Sequence, residues 1–341
     1  MNLLIKILSL PGFFLTAVFL AGTQLQVIHS AFSSNFGNQV AAAQGVVQGL
    51  PHWRIYQSRI LGPFFIETLS KLFNLSFGKA YVLGILVLLV LFFGLILIMA
   101  KQYWKSTAIA LGIATGAWTL LAVIMQGFWI YPWDFFDLII FTLLVWAILH
   151  SKPLWIISAI IALEIPNREV ALVICVWLII DAFFNLKKSE YGLRGLSIKF
   201  EPFQLFIALI LLGFGYGLIE FLRSSLLIRE VGPEIFPDLK AGAQSFQFQL
   251  LTNLEEMMFF LTHPFYKYSV FNVIIFGIPA LIIVSILSQS REVVRLSFLY
   301  LIIWFLNFIF GLIYETRVWI CFIPYLVFVF PIVLTKQRTK K

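Results

Sequence analysis

Two acidic residues and one polar knot hold the side chains in this sequence that could do chemistry. Asp134 and Asp137 follow Tyr131-Pro132-Trp133. A spacing of three puts both carboxylates on one face of a helix that Pro132 can start. Further along, Glu164-Ile165-Pro166-Asn167-Arg168-Glu169 separates two very apolar runs. Leu154 to Leu163 has Ser158 as its only polar side chain, and Val170 to Ile180 has none. A carboxylate in a sheltered cavity can take the proton of a hydroxyl nucleophile. A guanidinium fork matches the oxygens of a phosphate. Asp134, Asp137 and Glu169 are therefore the candidate catalytic residues. Arg54, Arg59, Asn167, Arg168, Glu315 and Arg317 are the candidate substrate-binding ones.

Each of these also has a purely structural reading. Arg168 can pair with a neighbouring Glu and hold a helical turn. Asp134 and Asp137 can be the acidic start of a helix beside an aromatic membrane belt of Trp129, Tyr131 and Trp133. His52, Tyr56 and Arg59 recur at helical spacing, where Arg and Tyr anchor lipid headgroups. Glu315 and Arg317, two apart, cannot meet along one helix, so each is expected to find a partner elsewhere, with Arg168 or Glu169 in reach.

The elements that must position these groups are set by composition. With 61% hydrophobic and only 12% charged residues, 341 residues cannot cover a soluble surface. The chain reads as an all-α, polytopic membrane helix bundle forming a single transmembrane domain over residues 1–341. Apolar segments predict about ten crossings: the first helix, then about 79–100, 106–127, 135–149, 154–164, 170–186, 203–222, 269–289, 296–314 and 318–334. The first outer loop, 29–78, is amphipathic and predicts interfacial helices over Val40–Leu50 and Ile60–Phe73. The second, 223–268, is too irregular to assign. Cys175 and Cys321 lie in apolar helices and read as core residues.

Alternating the crossings assigns fourteen of the 24 basic residues but only four of the 16 acidic ones to one side, which makes that side and both termini cytoplasmic. The net charge of +8 is thus a topology signal, not a nucleic-acid footprint. Every candidate cluster then falls on the outer face. A charge at membrane depth costs several kcal/mol unless it is paired or faces a wet cavity. At 1.5 Å per residue, Leu154–Glu164 spans only about 16 Å, so the knot at its end is expected in a recessed, water-filled cavity.

No His-x-x-x-His, Gly-x-Ser-x-Gly or nucleotide-binding glycine loop occurs, so no cofactor is expected, with a divalent cation left open. Taken together, Arg59-Ile60-Leu61-Gly62-Pro63, Tyr131-Pro132-Trp133-Asp134, Pro166-Asn167-Arg168-Glu169 and Glu315-Thr316-Arg317 resemble multi-pass GT-C type glycosyltransferases, diffusely and over most of the chain. The resemblance implies transfer of a sugar from a polyprenyl-phosphate carrier to an acceptor at the outer face, with membrane lipids as surroundings and a lipid-linked sugar donor as partner. It also implies an acidic residue near the end of the first helix. Here that region reads Gln24 to His29, with no Asp or Glu before Glu67, which moves the base to Asp134, Asp137 or Glu169. Two alternatives stand beside this one. The first is a lipid-linked glycan polymerase or ligase using His263 and loop arginines. The second is a non-enzymatic transporter or assembly subunit.

Overall fold

The computed structural model describes residues 2–125, 130–186, 196–198, 200–231, 248–263, 269–288, 291–311 and 315–338. Its described residues are almost wholly helical. In chain order the helices are α1 (Asn2–Phe32), α2 (Phe36–Gln48), α3 (Leu61–Phe73), α4 (Phe77–Trp104), α5 (Thr107–Ile124), α6 (Pro132–Leu149), α7 (Leu154–Glu164) and α8 (Val170–Phe183). After a short antiparallel ribbon of β1 (Phe184–Leu186) on β2 (Leu196–Ile198) come α9 (Pro202–Ser225), α10 (Leu250–Thr262), α11 (Ser269–Ser288), α12 (Arg291–Phe310) and α13 (Phe322–Arg338).

Six of these helices are long and apolar enough to cross a membrane: α1 through Pro11–Ala31, α4, α5, α6, α9 and α12. The chain is thus a multi-pass membrane protein. Helices α7, α8 and the apolar stretches of α11 and α13 are shorter. The expected interfacial segments of the first loop are helices α2 and α3. Three expectations give way. A helix, α10, occupies part of the loop that looked irregular, and the β1–β2 ribbon was not anticipated. The run from His52 to Arg59 is not a regular helix with one face. It holds only a short 3-10 helix, Arg54–Ser58, entered from an extended Trp53.

Helix α4 is the axis of the core, packing against α1, α3, α5 and α6, while α8 lies along α9 and α12. Phe92, Phe93, Phe141, Tyr300, Phe322 and Tyr325 fill the interior. Both cysteines are buried and free. In a membrane such helices associate by close packing more than by escape from water, so small residues matter where backbones meet. At Gly62 an added Cβ would stand 2.7 Å from Pro132 Cβ and 2.9 Å from Trp133 N, so α3 can start directly against the beginning of α6. At Gly215 the nearest atoms would be Leu172 and Ile165 side chains at 3.0 and 3.2 Å, letting α9 lie close along α8.

Candidate functional site

Pro132 opens α6, and the Asp134 carboxylate closes its first turn by accepting the Tyr131 N–H at 2.8 Å. One turn on, Asp137 joins it on the same buried face. Pro166 then shapes the turn between α7 and α8: the N–H groups of Asn167 and Arg168 both donate to the Glu164 carbonyl. This turn delivers three side chains to α6. Arg168 Nη1 contacts Asp137 Oδ2 at 2.5 Å and Asp134 Oδ1 at 3.3 Å. Asn167 Nδ2 donates to Asp137 Oδ1 at 2.5 Å and to the Trp133 carbonyl at 3.1 Å. Glu164, fully buried, lies 3.4 Å from the same amide and within hydrogen-bonding reach of the Asp137 carboxyl.

Glu169 turns to the other side of the knot. Its carboxylate receives Arg59 Nη2 at 3.1 Å, Arg223 Nη2 at 2.5 Å and the Ser58 hydroxyl at 3.2 Å. Arg223 also reaches Glu220, one turn back on α9. Burial alone would push the Glu169 carboxyl up; Arg59 and Arg223 outweigh it and hold the group below its ordinary value. Burial likewise opposes the Arg168 charge, and Asp137 and Asp134 more than compensate.

Arg317 completes the cluster from the 3-10 helix Thr316–Trp319. It pairs with Glu315 at 3.1 Å, because Glu315 precedes that helix in extended backbone and is free of the helical spacing that would part them. The expectation of separate partners is corrected here. Between Arg317 and Arg59 stands an aromatic stack: Tyr131 on Trp133 at 4.5 Å, with Tyr56 5.0 Å from Trp133. Arg59 lies over Tyr56 and Trp133 at 5.2 and 5.6 Å, and Arg317 over Tyr131 at 4.9 Å. Tyr131 and Trp133 are buried, so they hold guanidiniums and do not form a lipid-facing belt; Trp129 lies outside the described residues.

The structure therefore brings together Asp134, Asp137, Glu169, Arg59, Asn167, Arg168, Glu315 and Arg317. It leaves Arg54 out: that side chain is exposed and carries none of these ion pairs. Arg223, expected only as the start of a loop, belongs to the cluster, and its i, i+3 partner Glu220 was the available signal. His263 is exposed and stacked on Phe259 at 4.4 Å, while Pro264 beside it lies outside the described residues.

Ionic matching is incomplete. Arg59 Nε, Arg223 Nε and Arg317 Nη1 are buried without an acceptor among the described residues. An apolar hollow of about 220 Å³ opens between α1, α2 and α4, and its Tyr81 hydroxyl donates at 3.2 Å to the carbonyl of Ile130, next to Tyr131. Among the described residues no group of three His, Cys, Asp or Glu is arranged to hold a metal ion. No family model, no curated protein and no solved structure matches the chain.

Proposed function

We propose that the chain is a membrane transferase that moves a sugar from a polyprenyl-phosphate carrier to a hydroxyl acceptor, with the carboxylate–guanidinium cluster as its working centre. One observation carries this reading. Three arginines, Arg59, Arg223 and Arg317, keep buried N–H groups without an acceptor among the described residues, in the same cluster as the Asp134, Asp137 and Glu169 carboxylates. Vacant guanidinium donors suit phosphate oxygens, and unmatched buried donors are costly enough to call for a partner. The apolar hollow at Tyr81 offers the carrier's hydrocarbon a place near the same backbone.

In the proposed step Asp137, Asp134 or Glu169 accepts the acceptor's O–H proton. That oxygen bonds to the anomeric carbon, and the bond from carbon to phosphate oxygen breaks. The carrier phosphate leaves with both electrons of that bond and is held by the open N–H groups of Arg59, Arg223 and Arg317. The charge count along the chain supports cytoplasmic termini and a centre on the outer face. The apolar composition of α7, α8, α11 and α13, though their apolar stretches are shorter, is what would add four further crossings, for about ten in all.

The test uses the full chain in nanodiscs with radiolabelled polyprenyl-phosphate hexoses and pentoses. Wild type is expected to bind and turn over at least one donor. Asp137→Asn should reduce turnover by roughly 10²-fold or more if Asp137 is the base, and Arg317→Ala should weaken donor binding. Absence of both binding and turnover in wild type across the donors overturns the reading.

A further inference from the structure

The starts of α7, α9 and α12 and the end of α8 enclose a second polar site, separate from the carboxylate–guanidinium cluster. A cavity of about 160 Å³ is lined by Lys152, Leu154, Ile157, Asp181, Glu201, Gln204, Arg291 and Arg295. One wall is a finished structure. Arg295 forks onto Asp181 through Nε at 2.7 Å and Nη2 at 2.6 Å, and Gln204 adds a third donor to Asp181 at 2.9 Å. Asp181 is thus neutralised and fully engaged, and Glu201 has an interaction of its own.

The other wall is uncommitted. Lys152 Nζ lies 4.5 Å over the Trp146 ring, and neither it nor the exposed Arg291 has a carboxylate partner among the described residues. Three helices also begin at this cavity: α7 at Leu154, α9 at Pro202 and α12 at Arg291. First-turn N–H groups lack helical acceptors, and the helix dipole is positive there. Among the lining side chains three cations, Lys152, Arg291 and Arg295, stand against two carboxylates, Asp181 and Glu201, and with the three helix starts this leaves a local excess of positive potential. Among simple groups an oxyanion answers it best.

We propose that this cavity binds a phosphate-class anion, with Lys152 and Arg291 as its contacts and the Asp181–Arg295–Gln204 set as the fixed wall that keeps the hollow open. The phosphate can come from a phospholipid headgroup or from solution. By the charge count the cavity faces the cytoplasmic leaflet, where anionic headgroups lie within reach of helix ends.

The experiment compares wild type, Lys152→Gln/Arg291→Gln and a control, Lys71→Gln, whose lysine only pairs with Glu67 at the exposed end of α3. Native mass spectrometry of the detergent-purified full chain measures adducts with phosphatidylglycerol and phosphatidylcholine, and thermal shift measures the effect of inorganic phosphate. A tenfold or greater loss of phosphatidylglycerol binding in the double variant alone, with phosphatidylcholine unaffected, establishes a headgroup site. A thermal shift with inorganic phosphate in wild type and control but not in the double variant establishes a site for the free anion. If wild type and the double variant respond alike to both ligands, the proposal is overturned. Both surface substitutions leave the buried pair intact, so a folding failure does not stand in for a negative result.

Discussion

The two ends of the α7–α8 hairpin use the same ingredients differently. At the end formed by Glu164 to Glu169, four arginines interlock with several carboxylates, the arginines between 8% and 14% exposed, and three guanidinium N–H groups are left over. At the end formed by Lys152 and Asp181, one arginine and one aspartate close on each other beside a cavity, leaving Lys152 and Arg291 without a carboxylate partner among the described residues. Charge surplus therefore appears in two forms: as donors trapped inside a network, and as whole side chains at a rim. The first form is expensive to disturb, because removing one member strands buried charges. The second is cheap to alter and open to a soluble or lipid ligand.

The largest expected effect is at Arg168. Arg168→Met strands Asp134 and Asp137, both essentially buried, and should lower stability by about 3–5 kcal/mol, measured by fluorescence-detected thermal unfolding in detergent. Arg295→Met should cost clearly less, since it strands one carboxylate where Arg168→Met strands two, and Asp181 is 8% exposed where Asp134 and Asp137 are 0% and 1%. Equal losses at the two ends would break the comparison.

Next is Gly62→Ala, whose Cβ would run into the backbone of Pro132 and Trp133. A cost of about 1–3 kcal/mol is expected, together with weaker retention of the Arg59–Glu169 side of the network. No change in thermal unfolding would mean that α3 is not seated as tightly on α6 as described.

A pH series sharpens the same contrast. Glu169 is depressed below its ordinary value of 4.5, so its contribution is present above that value and is lost as pH falls through the lower folded one. Wild type should lose stability on acidification below about pH 4.5, and Glu169→Gln should flatten that limb. An unchanged acid limb would deny Glu169 this role. The smallest effect belongs to Lys152→Gln and Arg291→Gln, expected to change unfolding stability by no more than about 0.5 kcal/mol each, even as anion binding falls.

Much of the first end was legible in the sequence because oil makes charge conspicuous. Arg168 and Glu169 between two apolar runs, and Asp134 with Asp137 one turn apart, had few places to go other than together. The direction of each pairing was less legible. Glu169 was grouped with Arg168 by adjacency, yet the turn at Pro166 sends the two side chains to opposite sides, one to α6 and the other to Arg59 and Arg223. Trp133 and Tyr131 have the composition of a membrane belt, yet they are buried against Ala42, Val46, Trp53 and Tyr56, a packing no local spacing announces. Asp181 and Arg295 are far apart in sequence, and no local spacing announces a fork made across two helices.

One main-chain bond has a mechanical consequence. The Leu61 N–H donates to the Pro166 carbonyl at 3.2 Å, and Gly62 is seated against Pro132, so Arg59 rides on a strut bolted to both α6 and the α7–α8 turn. Arg317 is held across the aromatic stack by side-chain contacts, with a 3.5 Å reach to the Tyr56 hydroxyl. The two arginines are thus braced by different means, Arg59 through main chain seated on its neighbours and Arg317 through the buried Trp319 and the Asn307 amide that donates to the Val318 carbonyl of its own 3-10 helix.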